Sequence, residues 1–160
     1  MILCVLTWKN VFYRRCSLIF CLCAIHASKI NTCDAAFDMD VHDIWGDGSG
    51  NVYIAGKDKG ANPDEAAIFV YNETANSCTR VFGTSTENDL EGIYGNGSLV
   101  YAVGKGGLVV DNSSGSFSES IFGGEDYKDV WVSSSGAAYY AGKNGFLTTC
   151  TSANELDHFV

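Results

Sequence analysis

One pattern occurs three times along the chain, and it limits the possible folds more than any other feature. The first copy reads Val41-His-Asp-Ile-Trp45-Gly-Asp-Gly-Ser-Gly-Asn-Val-Tyr53-Ile-Ala-Gly56-Lys57. The second reads Asp89-Leu-Glu-Gly-Ile-Tyr94-Gly-Asn-Gly-Ser-Leu-Val-Tyr101-Ala-Val-Gly104-Lys105, and the third Tyr127-Lys-Asp-Val-Trp131-Val-Ser-Ser-Ser-Gly-Ala-Ala-Tyr139-Tyr-Ala-Gly142-Lys143. Each runs from an aliphatic–aromatic pair through a Gly/Ser/Asn turn to Tyr-x-[Ala/Val]-Gly-Lys. The correspondence continues: Ile68-Phe-Val-Tyr-Asn72 aligns with Leu108-Val-Val-Asp-Asn112 and Phe146-Leu-Thr-Thr-Cys150, and Phe82, Phe122 and Val160 follow at equal distance. A unit repeated at such a period cannot hide its apolar surface alone and must stack on its neighbours.

Within each copy four short apolar runs of strand length alternate with Gly, Asn, Ser and Asp turns, which predicts four antiparallel strands. The second and third strands form a hairpin. Its turn is tight in Gly104-Lys-Gly-Gly107 and Gly142-Lys-Asn-Gly145, and swollen by Lys59-Gly-Ala-Asn-Pro-Asp-Glu65 in the first copy. Glycine supplies the positive φ that primed hairpin turns require. The composition agrees: 18 Gly, one Pro and 18% charged residues fit a turn-rich all-β chain. Four strands recurring every ~37–49 residues match the size of a β-propeller blade. The expected units lie at about 38–82, 88–122 and 126–160, within a domain spanning 28–160. A sandwich would account for the strands but not for the repeat.

The Asp-Ile-Trp-Gly…Val-Tyr-Ile-Ala-Gly-Lys segment and its two echoes resemble the blades of secreted bacterial propellers. These are related to the photosystem II assembly factor family, within the wider superfamily of WD40-, YVTN- and BNR-type repeats. The resemblance covers about residues 38–160. It implies blades whose inner valine–tryptophan strand precedes a tyrosine–x–valine–glycine strand and a Gly-rich hairpin. The Asp-Gly-Gly-x-x-Trp segment usual in that family is replaced here by Asn-Glu-Thr-Ala, Asn-Ser-Ser-Gly and Thr-Ser-Ala-Asn. Closed propellers have about four blades or more. Three blades therefore imply an incomplete propeller, self-association into a ring, or an extra strand from residues 29–37.

Residues 1–27 read as a secretory leader or an N-terminal anchor. Lys9, Arg14 and Arg15 precede the uncharged run Cys16–Ile25, and a small residue stands at Ala27. That run is shorter than the ~20 residues of a membrane-spanning helix, so membrane contact is expected only through an uncleaved leader, and the location is secreted or periplasmic. Without the leader, 7 basic residues face 19 acidic ones, a net charge of −12. Such an acidic surface excludes nucleic acid as a partner. Cys33, Cys78 and Cys150 remain, at no metal-ligand spacing. Oxidation could join Cys33 to Cys150 and close a loop nearly as long as the domain, worth ~4–5 kcal/mol by chain entropy. The alternative is three buried, unreactive thiols.

In a propeller, the loops leading into each first strand share one face with the central hairpins. That face would carry Lys57, Lys105 and Lys143 with His42, Asp43, Glu91, Lys128 and Asp129. Lysines beside carboxylates suit an acidic peptide or a sugar, although Gly-Lys is also ordinary turn chemistry. Trp45, Tyr94 and Trp131 recur once per unit and either stack sugar rings or pack one blade on the next. Tyr53, Tyr101 and Tyr139 read as packing residues. Asp47-Gly-Ser-Gly-Asn51 alternates oxygen ligands as a calcium loop does but lacks the bidentate carboxylate, so it reads as a turn and no metal is expected. Asn72, Asn96 and Asn112 begin glycosylation sequons. There is no nucleophile elbow or phosphate loop, and nothing selects two carboxylates as a glycosidase pair. The sequence thus predicts an exported, non-enzymatic binding or scaffold module that needs no cofactor. Its loops would recognise a glycan or protein ligand. The alternatives are part of a secreted glycan-processing enzyme and an assembly-factor-like holder of client peptides.

Overall fold

The computed structural model describes residues 38–84, 88–150 and 156–159. The expected leader and Cys33 lie outside them, as does the side chain of Cys150, so the Cys33–Cys150 pairing falls beyond the described residues.

Apolar residues alternating with Gly/Asn/Ser turns fold into three antiparallel sheets, each made of four consecutive strands. Sheet one contains β1 (Met39–Gly46), β2 (Asn51–Asp58), β3 (Glu65–Asn72) and β4 (Ser77–Thr84). Sheet two contains β5 (Leu90–Asn96), β6 (Leu99–Gly104), β7 (Leu108–Asp111) and β8 (Ser118–Ile121). Sheet three contains β9 (Tyr127–Val132), β10 (Ala138–Gly142), β11 (Leu147–Cys150) and β12 (Leu156–Phe159). Every sheet follows chain order, and the described residues include no α-helix.

The period-two alternation of a strand sends neighbouring side chains to opposite faces. Sheet one turns Ala55, Ala66 and Ile68 towards Leu90, Ile93, Val100 and Val110 of sheet two. The opposite face of sheet two turns Val103 and Val109 towards Val130, Val132, Ala138 and Tyr140 of sheet three. Each fully buried Val, Leu or Ile contributes roughly 1.5–3 kcal/mol, and sheet two collects this on both faces. That explains why its strands read Leu-Val-Tyr-Ala-Val and Leu-Val-Val. On the other face of sheet one, Ile54, Ala67, Phe69 and Tyr71 form a third buried cluster. The first strands are neighbours in space: β5 lies against β1 on one side and β9 on the other.

The cross-strand register places Trp45 opposite Tyr53, Tyr94 opposite Tyr101 and Trp131 opposite Tyr139. Val41, Leu90 and Tyr127 pair with Gly56, Gly104 and Gly142. A bulge follows each of them, at His42, Glu91 and Lys128. The third strands require a correction of one residue. Ile68 stands opposite Ala55, whereas Val109 and Leu147, not Leu108 and Phe146, stand opposite the corresponding Val103 and Ala141. The cause is the hairpin. In sheet one the ladder runs on to Asp58 and Glu65 before the chain turns. In sheets two and three a short 3-10 turn intervenes, with Gly106 and Asn144 left-handed at φ 62° and 58°. With the Leu108 and Phe146 N–H groups bonded back to the Lys105 and Lys143 carbonyls, these are primed turns of the kind that the sequence predicts. In both, a glycine follows with positive φ, Gly107 at 75° and Gly145 at 78°.

A charged rim as the candidate functional site

The rim is built by the Gly-Lys hairpins and by an aspartate at the start of each sheet, within β1 for Asp40 and immediately before β5 and β9 for Asp89 and Asp126. Asp40, Asp89 and Asp126 precede Val41, Leu90 and Tyr127. Each backbone carbonyl lies where the following hairpin glycine would carry a Cβ: a Cβ on Gly56 or Gly104 would stand 2.0 Å from the oxygen of Asp40 or Asp89, and on Gly142 2.7 Å from that of Asp126. The glycine of Gly-Lys is therefore demanded by a close backbone approach. The same carbonyls accept the Lys105 and Lys143 N–H groups at 3.0 and 3.1 Å.

The side chains then form a chain of ion pairs across the three sheets. Lys57 lies 3.5 Å from both Asp64 and Asp89. Asp89, itself buried, also accepts a short hydrogen bond from Lys105. Lys105 reaches Glu91 at 3.7 Å, Glu91 reaches Lys128 at 3.0 Å, and Lys143 pairs with Asp126 at 2.5 Å. The Asp126 carboxylate further accepts the Gly106 N–H from the hairpin of sheet two at 3.0 Å. Each hairpin thus grips the aspartate of the sheet that follows: Lys57 holds Asp89, and Gly106 holds Asp126.

Burial pushes the Asp89 carboxyl up, but the hydrogen bond and charge of Lys105 and the charge of Lys57 outweigh it and hold the group below the ordinary carboxylate value. The Lys143 hydrogen bond and the Gly106 N–H lower Asp126, while the Asp89 hydrogen bond raises Lys105. One oxygen of Asp89, Oδ1, is buried without a hydrogen bond and is balanced by the Lys57 charge. In these ion pairs four lysines meet four carboxylates, and Lys59 pairs with Asp40 at 2.7 Å, so the rim is locally neutral on an acidic protein.

Of the other expected site residues, two are spent between sheets. His42 Nδ1 donates to the Leu90 carbonyl at 2.6 Å. Asp43 accepts the N–H of its neighbour Ile44 at 2.8 Å and that of Ile93, in the next sheet, at 2.9 Å. Asp129 accepts the Val130 N–H at 2.8 Å and is exposed. The structure brings together Lys57, Lys105, Glu91 and Lys128, and sets His42 and Asp43 as fasteners between sheets one and two.

The aromatic trio divides. Trp45 is half-buried, with its ring 5.5 Å from Tyr53 and 6.2 Å from Tyr94, and its indole closes on Gly95 of β5, where a Cβ would be 2.7 Å from the ring. Tyr53 continues this packing to Phe117 at 6.4 Å, and Tyr101 is half-buried in the core between sheets two and three. Trp131 departs from the packing expectation: it stacks on Tyr139 at 5.6 Å yet remains 53% exposed. No described residue supplies a sheet over that face.

Asp47 is fully used by its own turn. Its oxygens accept the Ser49 and Asn51 N–H groups and the Asn51 amide at 2.7–3.1 Å. Burial opposes the ionised form, but these hydrogen bonds pull the carboxyl down to about 2. Among the described residues no cluster of His, Cys, Asp and Glu is arranged to hold a metal. The side-chain nitrogens of Asn72, Asn96 and Asn112, where a glycan would attach, donate to Asn51, Ser133 and Ser98 at 2.6, 2.9 and 2.8 Å.

The sequence reading missed Asp40, Asp89 and Asp126 as a set. The signal was present, but aligning the second copy from Asp89 and the others from Val41 and Tyr127 concealed it. Compared with protein-family models and with curated protein sequences, the chain matches none of them.

Proposed function

We propose that the protein is an exported, non-enzymatic binding or scaffold module of β-propeller type, akin to the photosystem II assembly factor-like repeats, that recognises a protein or glycan ligand at the charged rim. Three four-stranded meanders stacked in chain order, with their first strands side by side, support the propeller reading. The rim carries the binding reading. Its lysines and carboxylates alternate in fixed positions and keep part of their surface in solvent, Lys143, Asp40 and Asp64 most. Such a zwitterionic edge complements a ligand bearing both signs of charge, or a sugar that hydrogen-bonds to either. Affinity would come from many directed polar contacts, since there is no net field to attract a polyanion. Asp43, Glu91 and Asp129 each already satisfy a backbone N–H or a lysine, which favours the binding module over a glycosidase pair.

Glycan and peptide arrays probed with the full chain test this reading. A specific hit should weaken at least tenfold in Lys143→Glu and Lys128→Glu, while the melting temperature stays unchanged. A hit indifferent to both variants, or turnover of a chromogenic glycoside, would count against it.

A further inference from the structure

Sheets one and three carry the same docking face, and in sheet one it is occupied. Asp43, Trp45 and Ile68 correspond by register to Asp129, Trp131 and Leu147. Ile68 is fully buried against sheet two, whereas Leu147 is 42% exposed. The arrangement of the face is nevertheless the same in both sheets. Trp45 and Tyr53 have ring centroids 5.5 Å apart and planes at 38°, against 5.6 Å and 42° for Trp131 and Tyr139. One carboxylate oxygen of Asp43 accepts the Ile44 N–H, and one of Asp129 accepts the Val130 N–H, both at 2.8 Å. The opening ends at Thr149, which is buried and donates to the Ala138 carbonyl at 3.1 Å.

The contact with β5 shows what this face holds. The second oxygen of Asp43 accepts the Ile93 N–H at 2.9 Å, and the Trp45 indole closes on Gly95. Ile93 has that N–H to offer because residue 92 is a glycine. In β1 and β9 the residue before Ile44 or Val130 is an aspartate, which takes up the N–H itself. A buried N–H left unpaired is costly. An aspartate on one sheet and a glycine on the strand it meets are therefore complementary. The second oxygen of Asp129 has no hydrogen-bond partner among the described residues.

We infer that the open face of sheet three docks an extended strand of a protein partner with the pattern Gly-[Ile/Val]-x-Gly, the pattern of Gly92-Ile-Tyr-Gly95 in β5. The N–H of its aliphatic residue bonds to the second Asp129 oxygen, its last glycine lies under the Trp131 indole, and Leu147 is covered. The same chemistry refuses other strands. One with an aspartate at the first glycine, such as β1 or β9 of a second copy, has spent its N–H and sets a carboxylate beside Asp129. This chain holds the pattern once, in β5, where Asp43 already uses it. The occupant is therefore a strand of a different protein.

An NMR titration of the full chain with a synthetic peptide of residues 89–96 tests this, read on the indole N–H signals. Trp131 should shift and Trp45 should not. A lone strand must be ordered on binding, so a Kd of about 1 mM or less is expected. Binding should weaken about tenfold when the peptide carries Gly92→Asp or Gly95→Val, and equally in the protein variants Asp129→Asn and Trp131→Ala. Asp129→Asn keeps the oxygen that holds Val130 and loses only the second acceptor, so its melting temperature should stay unchanged. Lys143→Glu, which weakens a rim ligand, should bind the peptide as wild type does, so the two sites are read apart. A Trp131 signal unmoved by about 3 mM peptide overturns the proposal. So does a Gly95→Val peptide that binds as well as the parent, or an Asp129→Asn protein that binds as well as wild type. Cellobiose or chitobiose shifting Trp131 where the peptide does not would also overturn it, and would assign the face to a sugar.

Discussion

Asp47 shows how one side chain sets a turn and gives it a pH dependence. Its ordinary carboxyl value is 3.8 and its folded value about 2, so the fold favours the ionised form. The contribution is complete above about pH 4 and is lost as the pH falls through about 2. Asp47→Asn should flatten the acid limb of stability in that window, and a carboxyl-carbon NMR titration should place the Asp47 midpoint near 2. Gly104 is fixed by contact: an added Cβ meets the Asp89 carbonyl at 2.0 Å. Gly104→Ala should therefore cost about 3 kcal/mol in urea unfolding. Gly97→Ala, left-handed at φ 63° but surrounded by open space, should cost only about 1 kcal/mol. Asp89→Asn leaves Lys57 and Lys105 facing a neutral, buried amide, and should lose about 1–3 kcal/mol. The sequence showed that glycine and lysine recur together. It could not show why, because the carbonyl that excludes a Cβ comes from a residue 15 or more positions away in the chain.

Among the strands, equivalent residues should differ in energetic weight according to what lies opposite. Ile68→Ala and Leu108→Ala empty positions buried between sheets one and two, and each should cost about 2–4 kcal/mol. Trp45→Ala removes a ring packed on Tyr53, Tyr94 and Gly95, and should cost about 2–3 kcal/mol. Trp131→Ala, at the same register position, should change stability by less than about 1 kcal/mol in dilute, monomeric samples. Denaturant midpoints of the four variants at low concentration give the comparison. The existence and order of the strands were legible because apolar runs and glycine-rich turns act locally. The register of β3 against β7 and β11 was not. One residue of difference in the hairpin sends the opposite side chains to the core, and only the paired backbone fixes that count.

On the scale of the whole molecule, a linear stack makes stability uneven. Sheets one and two are buried on both faces and should hold the slowest-exchanging amides, among them those of Ile68, Phe69, Val100, Ala102, Val109 and Val110. Amides of β9 and β10 should exchange faster, as one face of sheet three is open. Native-state hydrogen exchange that ranks sheet three above sheet two would contradict this order. The amino-acid sequence by itself determined the all-β class, the threefold pattern and its turns, because spacing and turn chemistry are properties of neighbouring residues. Tertiary structure alone decided which aspartate each lysine holds, that His42 and Asp43 join sheets instead of facing solvent, and that Trp45 is covered while Trp131 is bare. Those outcomes depend on which sheet lies alongside, and no residue carries that information in its own neighbourhood of the chain.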